Sequence, residues 1–460
     1  MYKNFISAAL FLALGAAPAA AQLNMGALQD AHNSVNASRH LPTYLGDHFS
    51  TFQISVLNPY VSVGSNFASY QNAKDLLRAD RLSSGLIGST LNDLRTENNS
   101  VAGSLDMSIV NAAYNIRDKR GRKLLTLGAG VNERVEVSSS FNQELLQLAA
   151  YGNKQFAGQT IDILPRFNGM AFTEYYIAGS LSIAPKYSPL VIRPAIRLSY
   201  LSAQAGIQMQ RENSLRMFTE ADGRYLDFNL AYRVDAALGT DSIRLDGNSF
   251  NVNDKSFRGG SGSGFGMDLA LRVSPMSGLS FNVGLMDIGS INFRKGMTNM
   301  YNTSSYRYEG TAIDFNGNTA LNLDSIASLA KPNYSHESFK MNLPTKLIIS
   351  GSYGLQPQLE KGLTWYRHQL SFLYLQGFDN YLSSTTRPLL SAGYTYSMRN
   401  VLNLGVNAGV GGIYGGSIGA LASLKLGAFR IGVNSNNLLS LLAPKTGRGA
   451  DGGVMLALAF

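Results

Sequence analysis

The sequence predicts an all-β fold, a transmembrane antiparallel β-barrel of about 14–16 strands with short helices in its external loops. Three observations carry this. Apolar residues on one face alternate with polar or charged residues on the other at period two, a pattern a strand uses and a helix cannot. Several such runs reach about nine residues or more, the length a tilted strand needs to cross a bilayer, whereas soluble strands average about five or six. After residue 21 no stretch of about eighteen apolar residues occurs, so any spanning must be done by strands. The best helical candidate, Gly405 to Ala422, is interrupted by Asn407 and crowded with glycine.

In chain order, Lys3 supplies a positive n-region, Phe5 to Ala17 an apolar core, and Ala19-Ala20-Ala21 a small-residue cleavage site. Residues 1–21 therefore read as a signal peptide cleaved near Ala21/Gln22, which directs the chain out of the cytoplasm. Residues 22–48 read as an N-terminal segment, either a plug or a periplasmic extension, and 49–460 as the barrel. The chain has no cysteine, which excludes a lipidated cysteine, a disulfide framework and a thiol nucleophile. Mean hydropathy is near zero, which fits a barrel because lipid-facing and lumen-facing residues average out. The formal charge of +9 is read as a correlate of lipopolysaccharide and lumen charge, not of nucleic acid.

The strands follow. Ile192, Ile196, Leu198 and Tyr200 alternate against Arg193, Arg197 and Ser199. Leu226, Phe228, Leu230, Tyr232 and Val234 oppose Asp227, Asn229, Ala231, Arg233 and Asp235. Met267, Leu269, Leu271 and Val273 oppose Asp268 and Arg272, and the runs at 402–410 and 429–434 repeat the pattern. Tyr200, Tyr232, Tyr353, Tyr394 and Tyr396 sit near strand ends, as interfacial girdles do. Val454, Leu456, Leu458 and Phe460 alternate to the last residue, so the C-terminus is a strand. An ordinary edge strand of a soluble sheet is the alternative. Such a terminal strand closing on Phe resembles the end of bacterial outer-membrane barrels, where it addresses the chain to the assembly machinery.

Short turns are expected near Gly427 and at 398–400, 275–278, 222–223, 185–189 and 117–121. Longer connections lie at 436–451, 378–387, 289–343, 237–262, 138–171 and 68–100. This alternation is that of periplasmic turns and external loops. The connection at 355–363 is long for a periplasmic turn, and 203–206 is either a reversal or a bulge. The parse gives about sixteen strands, with fourteen as the alternative. If Phe460 faces the periplasm, the loops at 68–100, 138–171, 237–262 and 289–343 are external. Helices are expected in three loops: Asn72 to Leu94, which carries Leu76, Leu77, Leu82 and Leu86; after a Ser140-Phe141-Asn142-Gln143 capping box; and at Leu321 to Ala330. They would fold over the mouth or into the lumen, or pack on the rim.

No motif makes an enzyme. Gly415-Gly416-Ser417-Ile418-Gly419 matches a nucleophile elbow, but that motif needs a strand, a strained turn and a helix, and it lies here in a glycine-rich β region. His32, His40 and His48 recur every eight residues, a spacing neither helix nor strand turns into a metal site, and His336 and His368 lack neighbouring ligands. Asp246, Asn248, Asn251, Asn253 and Asp254 are oxygen-rich but lack a calcium-loop spacing, so solvation explains them better. No cofactor, metal or catalytic residue is expected. The charges Arg193, Arg197, Asp227, Arg233, Asp235, Asp268 and Arg272 are expected on neighbouring wall strands facing the lumen. There they would form an ion-pair ladder that stiffens the wall or anchors a plug, or else line a pore.

Three segments carry a resemblance: Arg197 to Ser202, Ser214 to Thr219, and Met286-Asp287-Ile288-Gly289-Ser290-Ile291-Asn292-Phe293, with Leu57-Asn58-Pro59 as a weaker match. They resemble an uncharacterised Bacteroidota outer-membrane β-barrel family (domain-of-unknown-function family 5723), which is similar in outline to fatty-acid-transporter-like barrels. That resemblance implies hydrophobic-substrate passage with a loop-gated lumen, or a non-conducting accessory barrel of a secretion or surface-assembly system of the type IX kind. It implies lipid, lipopolysaccharide, the barrel-assembly machinery and secretion-complex proteins as partners. It carries over no site residues.

Overall fold

Alternation at period two leaves each strand with one apolar and one polar face, and a closed ring satisfies both faces and abolishes the edges. The computed structural model describes residues 25–31, 35–78, 94, 99–237, 244–251, 260–308 and 331–460, apart from 120, 186, 211, 223–224, 247–248, 361–362 and 400. The strands of the ring are β1 (Phe52–Ser65), β2 (Asn99–Arg117), β3 (Lys123–Phe141), β4 (Arg166–Leu181), β5 (Val191–Met209), β6 (Gly262–Met276) and β7 (Leu279–Phe293). They continue as β8 (Lys346–Glu360), β9 (Leu363–Gly377), β10 (Leu389–Met398), β11 (Leu402–Gly411), β12 (Gly415–Leu426), β13 (Phe429–Ser435) and β14 (Gly449–Ala459). Each pairs antiparallel with the next. The seam closes between β1 and β14, from Gln53↔Ala459 to Gly64↔Gly449, and the Phe460 N–H donates to the Phe52 carbonyl at 2.8 Å.

The faces divide as the pattern predicts. Ile196, Leu198, Tyr200, Leu269, Leu271, Leu404, Val406, Val410, Ile431 and Val433 are exposed on the outside, while Arg197, Asp268, Asn403, Asn407 and Asn434 are buried inside. An apolar belt around a polar interior makes the protein a transmembrane barrel, since water would not tolerate so much exposed apolar surface on a soluble sheet.

The ring holds fourteen strands, not sixteen, because Leu226–Ala237 lies outside it. Its Val234–Ala237 end pairs with the outer end of β5, and the strand then joins Ser214–Thr219 and Met297–Tyr308 in a sheet on the long-loop side. Thr160–Asp162 and Asn333–Ser335 extend that sheet. On the apolar face of Leu226–Ala237, Phe228 packs against Phe156, Ile161 and Met217 of this extension. Asp222 accordingly lies in a hairpin of this extension and not in a periplasmic turn. At 203–206 the chain does not reverse: the register steps from Ala171↔Ala205 to Phe172↔Ala203, so Gln204 is a bulge. The connection expected at 355–363 is tight, since β8 runs to Glu360 and β9 starts at Leu363.

Helices α1 (Met25–Gln29), α2 (Tyr70–Arg78), α3 (Gln143–Tyr151) and α4 (Leu439–Leu442) are short. Helix α2 covers the first part of the expected 72–94 helix; Leu82, Leu86 and 321–330 lie outside the described residues. Helix α3 forms without its capping box: Ser140 remains in β3, paired to Ser100, and the Asn142 side chain caps nothing.

Candidate functional site

Residues 25–31 and 35–48 lie within the ring, because their polar groups meet wall residues on opposite sides of it. At α1, Gln29 Nε2 donates to the Val406 carbonyl at 3.2 Å, and Asp30 accepts from Asn403 at 2.7 Å and Ser423 at 2.9 Å. The 3-10 turn Val35–Arg39 follows: Ser55 donates to Asn36 at 2.8 Å and Arg39 pairs with Asp106. Pro42 then opens a second 3-10 turn, Pro42–Gly46, where its fixed φ suits the first helical position. There Thr43 donates to Asn282 at 3.0 Å and the Tyr44 hydroxyl meets Ser350 at 3.2 Å.

Apolar packing seats the same segment. Met25, Leu28, Leu41 and Tyr44 cluster with the wall residues Ala270, Met286, Ile348 and Leu373; Val35 and Leu45 cluster with Ala113, Tyr176 and Ala178. Glycine at two wall positions leaves the room these side chains occupy. A Cβ on Gly284 would stand 2.5 Å from Leu41 Cδ2, and one on Gly128 2.7 Å from Leu45 Cδ1.

Where the segment leaves the lumen, the charges concentrate. Asp47 accepts from Arg193 at 2.6 Å and pairs with Arg272. Lys123 Nζ donates to the Gly46 carbonyl at 2.6 Å and the His48 carbonyl at 2.7 Å. Burial, with Lys123 next in weight, pushes the His48 imidazole down to about 3. Burial also holds His40 well below its ordinary value, reinforced by Arg39, Lys346, Arg197 and Arg134.

A second charged layer crosses the middle of the lumen. Arg134 grips Asp287 through two bonds of 2.6 and 3.1 Å and Glu136 through one of 2.6 Å, and Lys346 reaches Asp287 at 3.1 Å. Arg197 pairs with Asp268 at 3.1 Å and donates to the Ser38 and Arg39 carbonyls, with its guanidinium over the Tyr176 ring at 4.7 Å. Glu174 accepts from Asn132 at 3.0 Å and Ser199 at 2.6 Å. These groups surround a cavity of about 50 Å³, lined also by Arg39, His40 and Asp106, with room for a few waters only.

The outer face carries the larger space. A groove of about 670 Å³ runs across β4, β5, β6 and β7 and is bordered by Leu181, Ile196, Leu271 and Leu285. Its floor includes Ala195, Ala270 and Gly284, residues too small to thicken the wall, and Leu41 stands directly behind Gly284.

The seven charges expected as one ladder separate into two groups. Arg193, Arg197, Asp268 and Arg272 face the lumen and hold one another or the lumen segment. Asp227, Arg233 and Asp235 sit on the external extension: Asp227 pairs with Arg307 at 2.8 Å, and Arg233 with Asp235 at 2.9 Å and Glu337 at 2.8 Å. They are therefore not wall neighbours of the other four. Sequence reasoning missed Asp47, Arg134, Glu136, Glu174 and Lys346; apart from the Arg134–Glu136 pair two residues apart, their partners lie on other strands or loops. Ser417 is half of a β11–β12 pair with Gly409, in a strand and not an elbow. His336 contacts the Met297 carbonyl at 2.6 Å and His368 the Tyr394 hydroxyl at 2.6 Å. Among the described residues no group of three or more His, Asp or Glu could hold a metal; His32, Asn248, Asn253 and Asp254 lie outside them.

The model of a family of unknown function, DUF5723, matches residues 43–436. The chain belongs to that family. Its Asp287-to-Phe293 stretch is where β7 changes partner, pairing with β8 up to Met286 and with Phe339–Asn342 from Ser290 onward. Asp287 sits at the break with φ 56°, its N–H donating to Asp268 at 2.7 Å and its carbonyl accepting from Thr345 at 2.8 Å. Ile291 and Phe293 are fully buried, and Phe293 stacks on Phe339 at 4.8 Å.

Solved structures similar to this chain include the Pseudomonas putida toluene transporter TodX, at 9% identity and TM-score 0.42 over 92% of each chain. A Pseudomonas aeruginosa FadL homologue is 10% identical, with TM-score 0.39 over 96% of this chain and 98% of that one. The translocator domain of the autotransporter NalP from Neisseria meningitidis is 8% identical, with TM-score 0.37 over 96% and 100%. A comparison with curated proteins finds no match.

Proposed function

We propose that this protein is an outer-membrane barrel that binds and passes hydrophobic molecules, and that residues 25–48, with the external loops, gate its lumen. One observation carries the reading: the apolar groove in the membrane-facing wall, of the size small ligands occupy, has Ala270 and Gly284 in its floor with Leu41 of the lumen segment packed behind them. A molecule entering from the membrane would meet that segment first. The filled lumen is then the closed state, since the enclosed space beside the segment admits only water-sized molecules.

The reading includes export by the N-terminal signal, insertion by the barrel-assembly machinery through the strand ending at Phe460, and contact with lipid and lipopolysaccharide. The test is uptake of a labelled apolar molecule by cells producing the protein, compared with cells producing a Leu269→Arg, Leu271→Arg variant of the groove. Uptake that falls in the variant while the folded barrel persists supports the proposal; equal uptake overturns it.

A second reading has its own support. The external sheet built on Leu226–Ala237 and Met297–Tyr308 projects beyond the ring and has no role in closing it. It suits a non-conducting accessory barrel of a secretion or surface-assembly complex. Co-purification of a partner through 289–343, lost when the Met297–Tyr308 strand is replaced by a short turn, would favour this reading over the first.

A further inference from the structure

The wall around Asp47 is organised as a receptor for a carboxylate. Arg193 comes from β5 and Arg272 from β6, at paired positions of the ladder, so their guanidiniums emerge side by side on the lumen face. Wall hydroxyls hold both: Arg193 Nε donates to Ser182 at 3.1 Å, and Arg272 Nη2 donates to Ser280 at 3.1 Å. Neither bond involves the lumen segment. The ring itself therefore orients the pair, and among the described residues the carboxylate that both arginines bind is Asp47. Lys123 on β3 adds a third cation, bonded to the carbonyls on either side of Asp47. Three cations converge on one anion, and planar guanidiniums match a carboxylate's two oxygens.

We propose that Arg193, Arg272 and Lys123 form an anion site of the barrel, specific for a carboxylate, in which Asp47 is a built-in occupant that an external carboxylate displaces. This rests on the reading of residues 25–48 as a gate and names the chemistry that opens it. Asp47 lies three residues from Tyr44 and six from Leu41, the residues that close the wall behind the groove, and Arg272 also lies over the Tyr44 ring at 5.5 Å. Loss of the Asp47 contacts therefore frees the part of the segment that backs the groove.

The chain's lack of cysteine provides the assay. Thr43→Cys places one thiol at a position fully buried against Asn282. The purified full-length barrel in detergent is treated with a water-soluble maleimide, in sodium acetate or in sodium chloride of equal ionic strength. Acetate is expected to speed labelling several-fold over chloride. An added Asp47→Asn change is expected to speed labelling about tenfold in either salt, since a buried charge pair that loses one partner dissociates faster. Asp47→Glu keeps the carboxylate and retains slow, acetate-sensitive labelling. Arg193→Gln with Arg272→Gln abolishes the difference between salts. Equal rates in acetate and chloride for the parent overturn the site, as does an Asp47→Asn barrel that labels at the parent rate. A gel-shift check that each barrel is folded keeps misfolding out of the comparison. Because the readout is thiol exposure, failure of apolar uptake in cells would refute the passage reading and leave this result standing.

Discussion

Replacing Asp287 with Asn removes a charge and little else. Asn keeps the size and, like Asp, tolerates the left-handed backbone that φ 56° imposes. Asn Oδ1 can still accept one N–H of Arg134; lost are the second bond and the charge pairing with Arg134 and with Lys346 at 3.1 Å, all largely buried. Breaking a buried pair costs about 3–5 kcal/mol. Arg134 retains Glu136 at 2.6 Å, so the lower end applies, about 3 kcal/mol or roughly a hundredfold in the unfolding equilibrium. Ala adds the cost of a left-handed β-carbon, about 1–2 kcal/mol, which Gly avoids. The expected order of stability is Asp, Asn, Gly, Ala. Guanidinium unfolding in detergent, followed by the fluorescence of the single tryptophan, buried Trp365, measures it. An Asn variant within about 1 kcal/mol of the parent, or Ala more stable than Gly, would refute the assignment of Asp287 as the tie that holds the partner change of β7.

Gly284→Val should drive a side chain into Leu41 and cost about 1–3 kcal/mol, with much of that regained by adding Leu41→Ala; no regain would mean that the two do not meet. His48 is neutral in the fold, with its pKa pushed down to about 3 against an ordinary value near 6.5. Between those values the unfolded chain binds more protons, so stability is full above about pH 6.5 and falls as pH drops toward 3. His48→Gln should flatten that acid limb, and an unchanged pH profile of unfolding would count against it. Asp227→Asn should leave the unfolding midpoint unmoved, because its ion pair lies on the exposed extension, whereas Asp268→Asn should lower it. Equal effects at the two positions would undo the division of the charges.

Much of the architecture is legible because it is local. Leu404, Val406 and Val410 against Asn403 and Asn407 need only the two-residue repeat of a strand to declare which side meets lipid, and the structure places them so. The same repeat cannot say what an apolar face meets. Leu226 to Val234 alternates as cleanly as any wall strand, yet Phe228 packs within the external extension and Asp227 faces solvent. Arg193 and Arg272 announce a polar inner face, but their partner Asp47 lies 146 residues before the first and 225 before the second. Glycine shows the same limit: Gly284 is one of 47 in the chain until Leu41 is placed behind it.

The sequence by itself determined the strand faces, the β-barrel class, the absence of thiol chemistry and the wall charges of β5 and β6, all set by periodicity and composition within about ten residues. The tertiary structure decided the rest: fourteen ring strands, an external sheet, a break in β7 held by Asp287, and a lumen segment gripped at Asp47. The reason is physical. A strand's periodicity is written in neighbouring residues, whereas ring closure and ion pairing join residues hundreds of positions apart, and only the closed sheet brings them within bonding distance.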